Sequence, residues 1–164
     1  MRRLAILLAL ALPGCGLHPL YAGGGSGSVA TALDAVQVAP IEGKSGYLMS
    51  NALRDRLPEN GTPRYRLDVR LNDEIKGLGV RQDDSVTRER RTLRARFQLV
   101  NLADGTVLLD ATAGSDAGID VVGSEYATIA AENTALERLA GIVADQIVSR
   151  VALYAQRRTA KPTP

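Results

Sequence analysis

Two stretches of the chain alternate apolar and polar side chains at the period of a half-buried strand. From Arg64 to Leu71, the residues Tyr65, Leu67, Val69 and Leu71 alternate with Arg64, Arg66, Asp68 and Arg70. From Thr92 to Leu99, the residues Leu93, Ala95, Phe97 and Leu99 alternate with Arg94, Arg96 and Gln98. A shorter strand is predicted over Asp34–Ile41, with Val36 and Val38 on one face. Helical spacing occurs twice. Met49, Leu53 and Leu57 recur at intervals of four between Ser45, which can cap a helix, and Pro58, which ends one. Ile129, Leu136, Leu139, Val143, Ile147, Val151 and Tyr154 form a stripe about 38 Å long on a helix capped by Ser124, with Glu125 in its first turn.

The strand after Asp104-Gly105 is placed by its register. A two-residue turn sets Leu99 beside Asp110 and Phe97 beside Thr112. A three-residue loop, Ala103–Gly105, instead pairs Leu99 with Leu109, Phe97 with Ala111 and Ala95 with Ala113. A slip of one residue turns a strand's apolar set to the wrong face, so the second register is predicted, with Gly105 left-handed in a bulged loop. Lys76 to Thr87 reads either as a long loop that makes contacts or as the ends of two overlong strands. Together these elements predict an α+β fold in the order β-α-β-β-β-α. Its two helices pack on one face of a four-stranded mixed sheet, and the arginine-bearing face is left exposed.

The N-terminus is of another kind. Arg2 and Arg3 precede Leu4–Leu12, nine apolar residues, which is signal-peptide length and well short of the roughly 20 needed to span a bilayer. Leu12-Pro13-Gly14-Cys15 follows and resembles a bacterial lipobox, with Pro13 in place of the usual small residue. Cys15 is the single cysteine of the chain, so an intramolecular disulfide is excluded and lipidation is the expected fate of its thiol. Residues 1–14 are therefore read as a signal peptide and 15–31 as lipid anchor and flexible tether, the latter from Ala22–Thr31 (AGGGSGSVAT). Residues 32–155 are read as one domain and 156–164 as a disordered tail.

Cleavage changes the electrostatic picture. The whole chain has 20 Lys+Arg against 18 Asp+Glu, and loss of Arg2 and Arg3 leaves a neutral mature chain. Nothing in that balance calls for nucleic acid. The charges are nevertheless uneven, with twelve basic and eight acidic residues in 54–96 but one basic and eight acidic in 97–149. Signs of catalysis are missing. His18 is the only histidine and lies three residues from Cys15; no Cys/His metal set, Gly-x-Ser-x-Gly or phosphate loop is present. Gly77-Leu78-Gly79 lacks the third glycine and the helix start of a dinucleotide site. Neither an enzyme nor a cofactor nor a metal is expected.

The segment Cys-Gly-Leu-His-Pro-Leu-Tyr (Cys15–Tyr21) resembles the mature start of the lipopolysaccharide-assembly lipoprotein family (LptE-like), with Leu17 replacing the usual aromatic. Further matches are the R-Y-R-L-D-V-R-L strand, the R-x-x-L-x-A-x-F-x-L-V strand and the opening Ser124-Glu-Tyr-Ala of the last helix. The resemblance covers nearly the whole mature chain and implies the same order of elements. It also implies an outer-membrane lipoprotein facing the periplasm that plugs a large β-barrel translocon (LptD-like) and assists insertion of lipopolysaccharide into the outer leaflet. A domain held in a polar lumen needs a polar outer surface. Arg66, Arg70, Arg94 and Arg96 stand on the sheet face away from the core, with Arg88, Arg90 and Arg91 at the mouth of the same strand. Arg66, Arg70, Arg91, Arg94 and Arg96 are the candidate contacts to lipid A phosphates or to the partner, because guanidinium groups grip phosphates bidentately. The plainer reading of these arginines is solubility, with partial pairing to Asp68 and Glu89. A different function remains open at this point: a periplasm-facing lipoprotein that binds another protein or a small ligand, such as an accessory subunit of a transporter.

Overall fold

The computed structural model describes residues 27–57, 61–80, 86–121 and 123–160. The signal segment, Cys15 and the Cys15–Tyr21 motif lie outside them. Helix α1 (Ser28–Asp34) leads into strand β1 (Val36–Val38), then helix α2 (Gly43–Arg54). Strands β2 (Tyr65–Val80), β3 (Val86–Asn101) and β4 (Val107–Asp120) follow, and helix α3 (Glu125–Ala160) closes the chain. The sheet runs β1-β2-β3-β4; β1 is parallel to β2 and the other neighbours are antiparallel. The α+β architecture is the one expected, with one helix added in front. Among the described residues no helix is long and apolar enough to cross a membrane.

That added helix corrects the tether. Ser28–Thr31 belong to α1, where Val29 and Leu33, four apart, are buried in the core while α1 lies against α3. The surrounding glycines and serines hide this from a compositional reading; one turn of apolar spacing is enough once α3 offers a surface. β1 is shorter than Asp34–Ile41. Its last ladder bond runs from Ala39 N–H to the Leu67 carbonyl at 3.0 Å, and Pro40 then has no N–H to donate. α2 starts two residues before Ser45, with Glu42 as N-cap, and Met49, Leu53 and Leu57 are wholly buried as predicted. Gly46 lets the helix sit against the preceding segment: a Cβ there would lie 2.5 Å from the Ile41 carbonyl oxygen.

The β3–β4 register is the predicted one, with Leu99 opposite Leu109, Phe97 opposite Ala111 and Ala95 opposite Ala113. The turn reaches it differently. Asn101 N–H donates to the Thr106 carbonyl at 2.9 Å, leaving the four-residue loop Leu102–Gly105 with Gly105 at φ 72°. A bulge beside Leu99 and Val100 then restores the register. Pairing of β2 with β3 continues to Val80 opposite Val86, so Lys76–Val80 and Val86–Thr87 are the ends of overlong strands.

The core is one cluster of Leu, Val, Ile and Ala around Phe97, built from the inward residues of the sheet and the buried stripe of α3. That stripe holds Leu136, Leu139, Val143, Ile147 and Val151, and Ser124 caps the helix through Oγ. Two ends of α3 differ from expectation. Ile129 is 47% exposed, and none of residues 125–134 is buried, so the stripe packs only from Ala135 onward. At the other end the helix runs through Gln156 to Ala160, because Gln, Arg and Ala propagate a helix well and the next proline is Pro162.

Candidate functional site

Even-numbered residues of β2 and β3 point away from the helices, which puts most of the arginines on one polar face. Five ion pairs neutralise much of it: Arg66–Asp68 at 2.8 Å, Lys76–Glu74 at 3.1 Å, Arg88–Asp120 at 3.0 Å, Arg90–Asp116 at 3.8 Å and Arg96–Asp110 at 2.8 Å. All are solvent-exposed and each is worth little in stability. The Arg96 guanidinium, then the Gln98 amide, hold the Asp110 carboxyl at about 2. A depressed carboxyl loses its pairing only as pH falls through that value, so this pair persists at any physiological pH.

Two cations remain. Arg70 and Arg94 form no ion pair among the described residues. Arg70 is opposite Arg96 and Arg94 is opposite Asn72, so the two lie diagonally across the centre of the β2–β3 ladder. Like charges at this spacing repel mildly unless an anion lies between them. Arg70 and Arg96 also line a cleft of about 830 Å³, walled by the segment from Ala39 to Glu42, which leaves the sheet edge where β1 ends.

Of the predicted contacts, Arg66 and Arg96 are paired with carboxylates, Arg70 and Arg94 form no ion pair among the described residues, and Arg91 is elsewhere. Arg91 faces the helices and is buried. Its Nε and Nη2 donate to Asp73 at 2.8 and 2.6 Å, and its Nη1 donates to the Glu132 carbonyl at 2.9 Å. It clasps β3, β2 and α3 together. Glu89 is not on the polar face either. Burial first, and then the Glu132 carboxylate, raises its carboxyl above the ordinary range, and its Oε2 is buried without a hydrogen-bond partner. Sequence reasoning missed Asp110 as the carboxylate that holds Arg96, and Gln98 as the amide that also donates to that carboxylate. The signal was present, because the predicted register puts Gln98 opposite Asp110. Gln146 was missed as well. Its side-chain amide bonds both the N–H and the carbonyl of Gly114, at 3.1 and 3.3 Å, closing the outer edge of β4 as a neighbouring strand would.

A family model described as LptE, lipopolysaccharide-assembly, matches residues 33–151. No curated protein matches the chain. Among solved structures, a protein of Caulobacter crescentus CB15 assigned as a lipoprotein is 22% identical, covering 79% of this chain and 98% of its own, with a TM-score of 0.68. The rare lipoprotein B of Shewanella oneidensis is 12% identical, with 76% and 97% covered and a TM-score of 0.57. A minor lipoprotein of Acinetobacter baumannii is 15% identical, with 72% and 88% covered and a TM-score of 0.56. These three share the fold.

Proposed function

The chain belongs to the LptE lipopolysaccharide-assembly family, and from that premise we propose that it plugs a large outer-membrane β-barrel translocon and assists insertion of lipopolysaccharide into the outer leaflet. Members of the family are outer-membrane-associated lipoproteins. The role is one of binding and positioning, without catalysis. Cys15 carries the anchor, and the domain faces the periplasm.

One observation carries the ligand part of this reading: the uncompensated pair Arg70 and Arg94 at the centre of a polar sheet face. Lipid A presents phosphates, and two guanidinium groups on diagonal neighbours of the ladder offer charge and bidentate geometry to one of them. The rest of the face, polar but locally neutralised, suits the lumen of a barrel, whose walls are polar.

The test has two arms. Tagged full-length protein, purified from cells in detergent, is expected to bring down a large outer-membrane β-barrel, since an enclosed domain buries well over the roughly 1,600 Å² of a standard interface. Recovery of no barrel sinks the plug reading. The second arm replaces Arg70 and Arg94 by Glu. That variant is expected to keep its thermal midpoint, to lose lipopolysaccharide binding in vitro and to leave cells permeable to large antibiotics. Retained binding would return both arginines to solubility.

Anchoring is tested separately. Cys15→Ala is expected to leave an unprocessed precursor and to remove globomycin-sensitive processing, because the chain has no second cysteine to accept a lipid. Cleavage of the variant at the same bond would make residues 1–14 an ordinary secretory signal.

A further inference from the structure

At the end of the sheet where β2 starts and β3 stops, Arg64, Tyr65, Leu102 and Arg158 surround one depression of about 500 Å³. The hairpin tip is tied there, with Leu102 N–H donating to the Arg64 carbonyl at 3.0 Å. Arg158 lies over the Tyr154 ring, 5.9 Å from its centroid. Around these groups the apolar side chains stand out of the fold, with Leu102 43% and Val107 48% exposed. Arg64, Arg157 and Arg158 form no ion pair among the described residues. One acid shares the loop, Asp104, and its carboxylate accepts the Thr106 N–H at 3.0 Å. Asp34 ends α1 at the same end of the fold.

We propose that this end of the domain seats on an anionic phospholipid surface. A protruding leucine, half-buried tyrosines and arginines on flexible stems are the groups that partition together at a headgroup boundary. A protein partner would have to present a carboxylate opposite each arginine, whereas a sheet of lipid phosphates supplies anions in any arrangement. Attraction to such a surface amounts to about a fivefold gain in partition per arginine near it. Stable attachment generally takes two signals, a lipid chain and a basic patch. The twelve residues between Cys15 and Ser28 reach at most roughly 43 Å, so an anchor at Cys15 and this patch can engage the same leaflet. Arg70 and Arg94 are on a different surface, the outer face of the sheet, so the two proposals stand or fall apart.

The experiment uses the chain from Gly16 onward, which keeps every described residue and lacks the anchor. Its probes are vesicles of equimolar phosphatidylglycerol and phosphatidylcholine against vesicles of phosphatidylcholine alone. Co-sedimentation is expected with the first and not the second, and it should weaken as salt screens the charge. Arg64→Ala with Arg158→Ala should lower partition about 25-fold, the product of two such steps. Leu102→Ser, at an exposed loop tip, should lower it as well, with an unchanged thermal midpoint. Arg138→Ala with Arg150→Ala removes equal charge from the exposed middle of α3 and should change binding little. Equal loss in that control, equal binding to both kinds of vesicle, or binding to neither overturns the proposal. Release from the vesicles by inorganic phosphate at constant ionic strength would also overturn it, by making the depression a phosphate pocket.

Discussion

Phe97→Ala, in the chain from Gly16 onward, is expected to lower the unfolding free energy by about 3–5 kcal/mol. Phe97 is the single phenylalanine of a chain without tryptophan, and it is wholly buried at the centre of β3. Its ladder neighbours are Val69 on one side and Ala111 on the other, both smaller, so neither can grow into the space an alanine would leave. The remaining core is aliphatic and already packed, and a cavity of that size collapses only in part. Arg96 is one residue away and points to the opposite face, where an exposed Asp110 holds it. Arg96→Ala is expected to leave the denaturation midpoint nearly unchanged. Chemical denaturation of the two variants beside the parent checks this, and equal losses would mean that the face assignment of β3 is wrong.

How far the sequence prefigures this arrangement depends on the kind of signal each element leaves. Strands with one wet face, such as Arg64–Leu71 and Thr92–Leu99, announce both their type and their orientation through strict alternation. The β3–β4 register followed from the same rule, since a slip would have placed Asp110 beside Leu99. The turn itself did not follow, because a four-residue loop with a bulge and a three-residue loop deliver the same pairing of Leu99 with Leu109. Alternation fails where both faces carry charge. Across Arg88-Glu-Arg-Arg-Thr92 no period marks which basic side chain turns inward. Arg91 does so because Asp73 meets it from β2, a partner placed by the hairpin register and by nothing local. Helix limits were hidden for another reason. Ile129 fits the stripe of α3 by spacing, yet burial depends on what lies beneath that turn, and among the described residues it stays 47% exposed. The candidate site was legible as a basic strand face; which arginines remain available depends on carboxylates two residues along the same strand, as Asp68 is from Arg66, or on the next strand, as Asp110 is from Arg96.

The clasp of Arg91 gives a second large effect. Arg91→Ala removes both hydrogen bonds to Asp73 and the one to the Glu132 carbonyl, leaving a carboxylate whose side chain is only 18% exposed without its cation. Breaking a buried pair from one side costs about 3–5 kcal/mol, and the residual exposure of Asp73 places this one at the low end, about 3 kcal/mol. Arg91→Met combined with Asp73→Leu is expected to recover most of that loss, because no uncompensated charge is left and both sites stay filled. The two variants should still differ from the parent at one place. Residues 125–134 of α3 include no fully buried side chain, so without the bond to Glu132 their amides should exchange faster in either variant. A single variant as stable as the parent, or a double variant as weak as the single, would refute the clasp. The double variant also settles whether Arg91 belongs with the phosphate contacts. If it stays folded and binds lipopolysaccharide as the parent does, Arg91 holds the fold together and leaves the ligand to Arg70 and Arg94. Loss of binding from a folded double variant would restore it to the site.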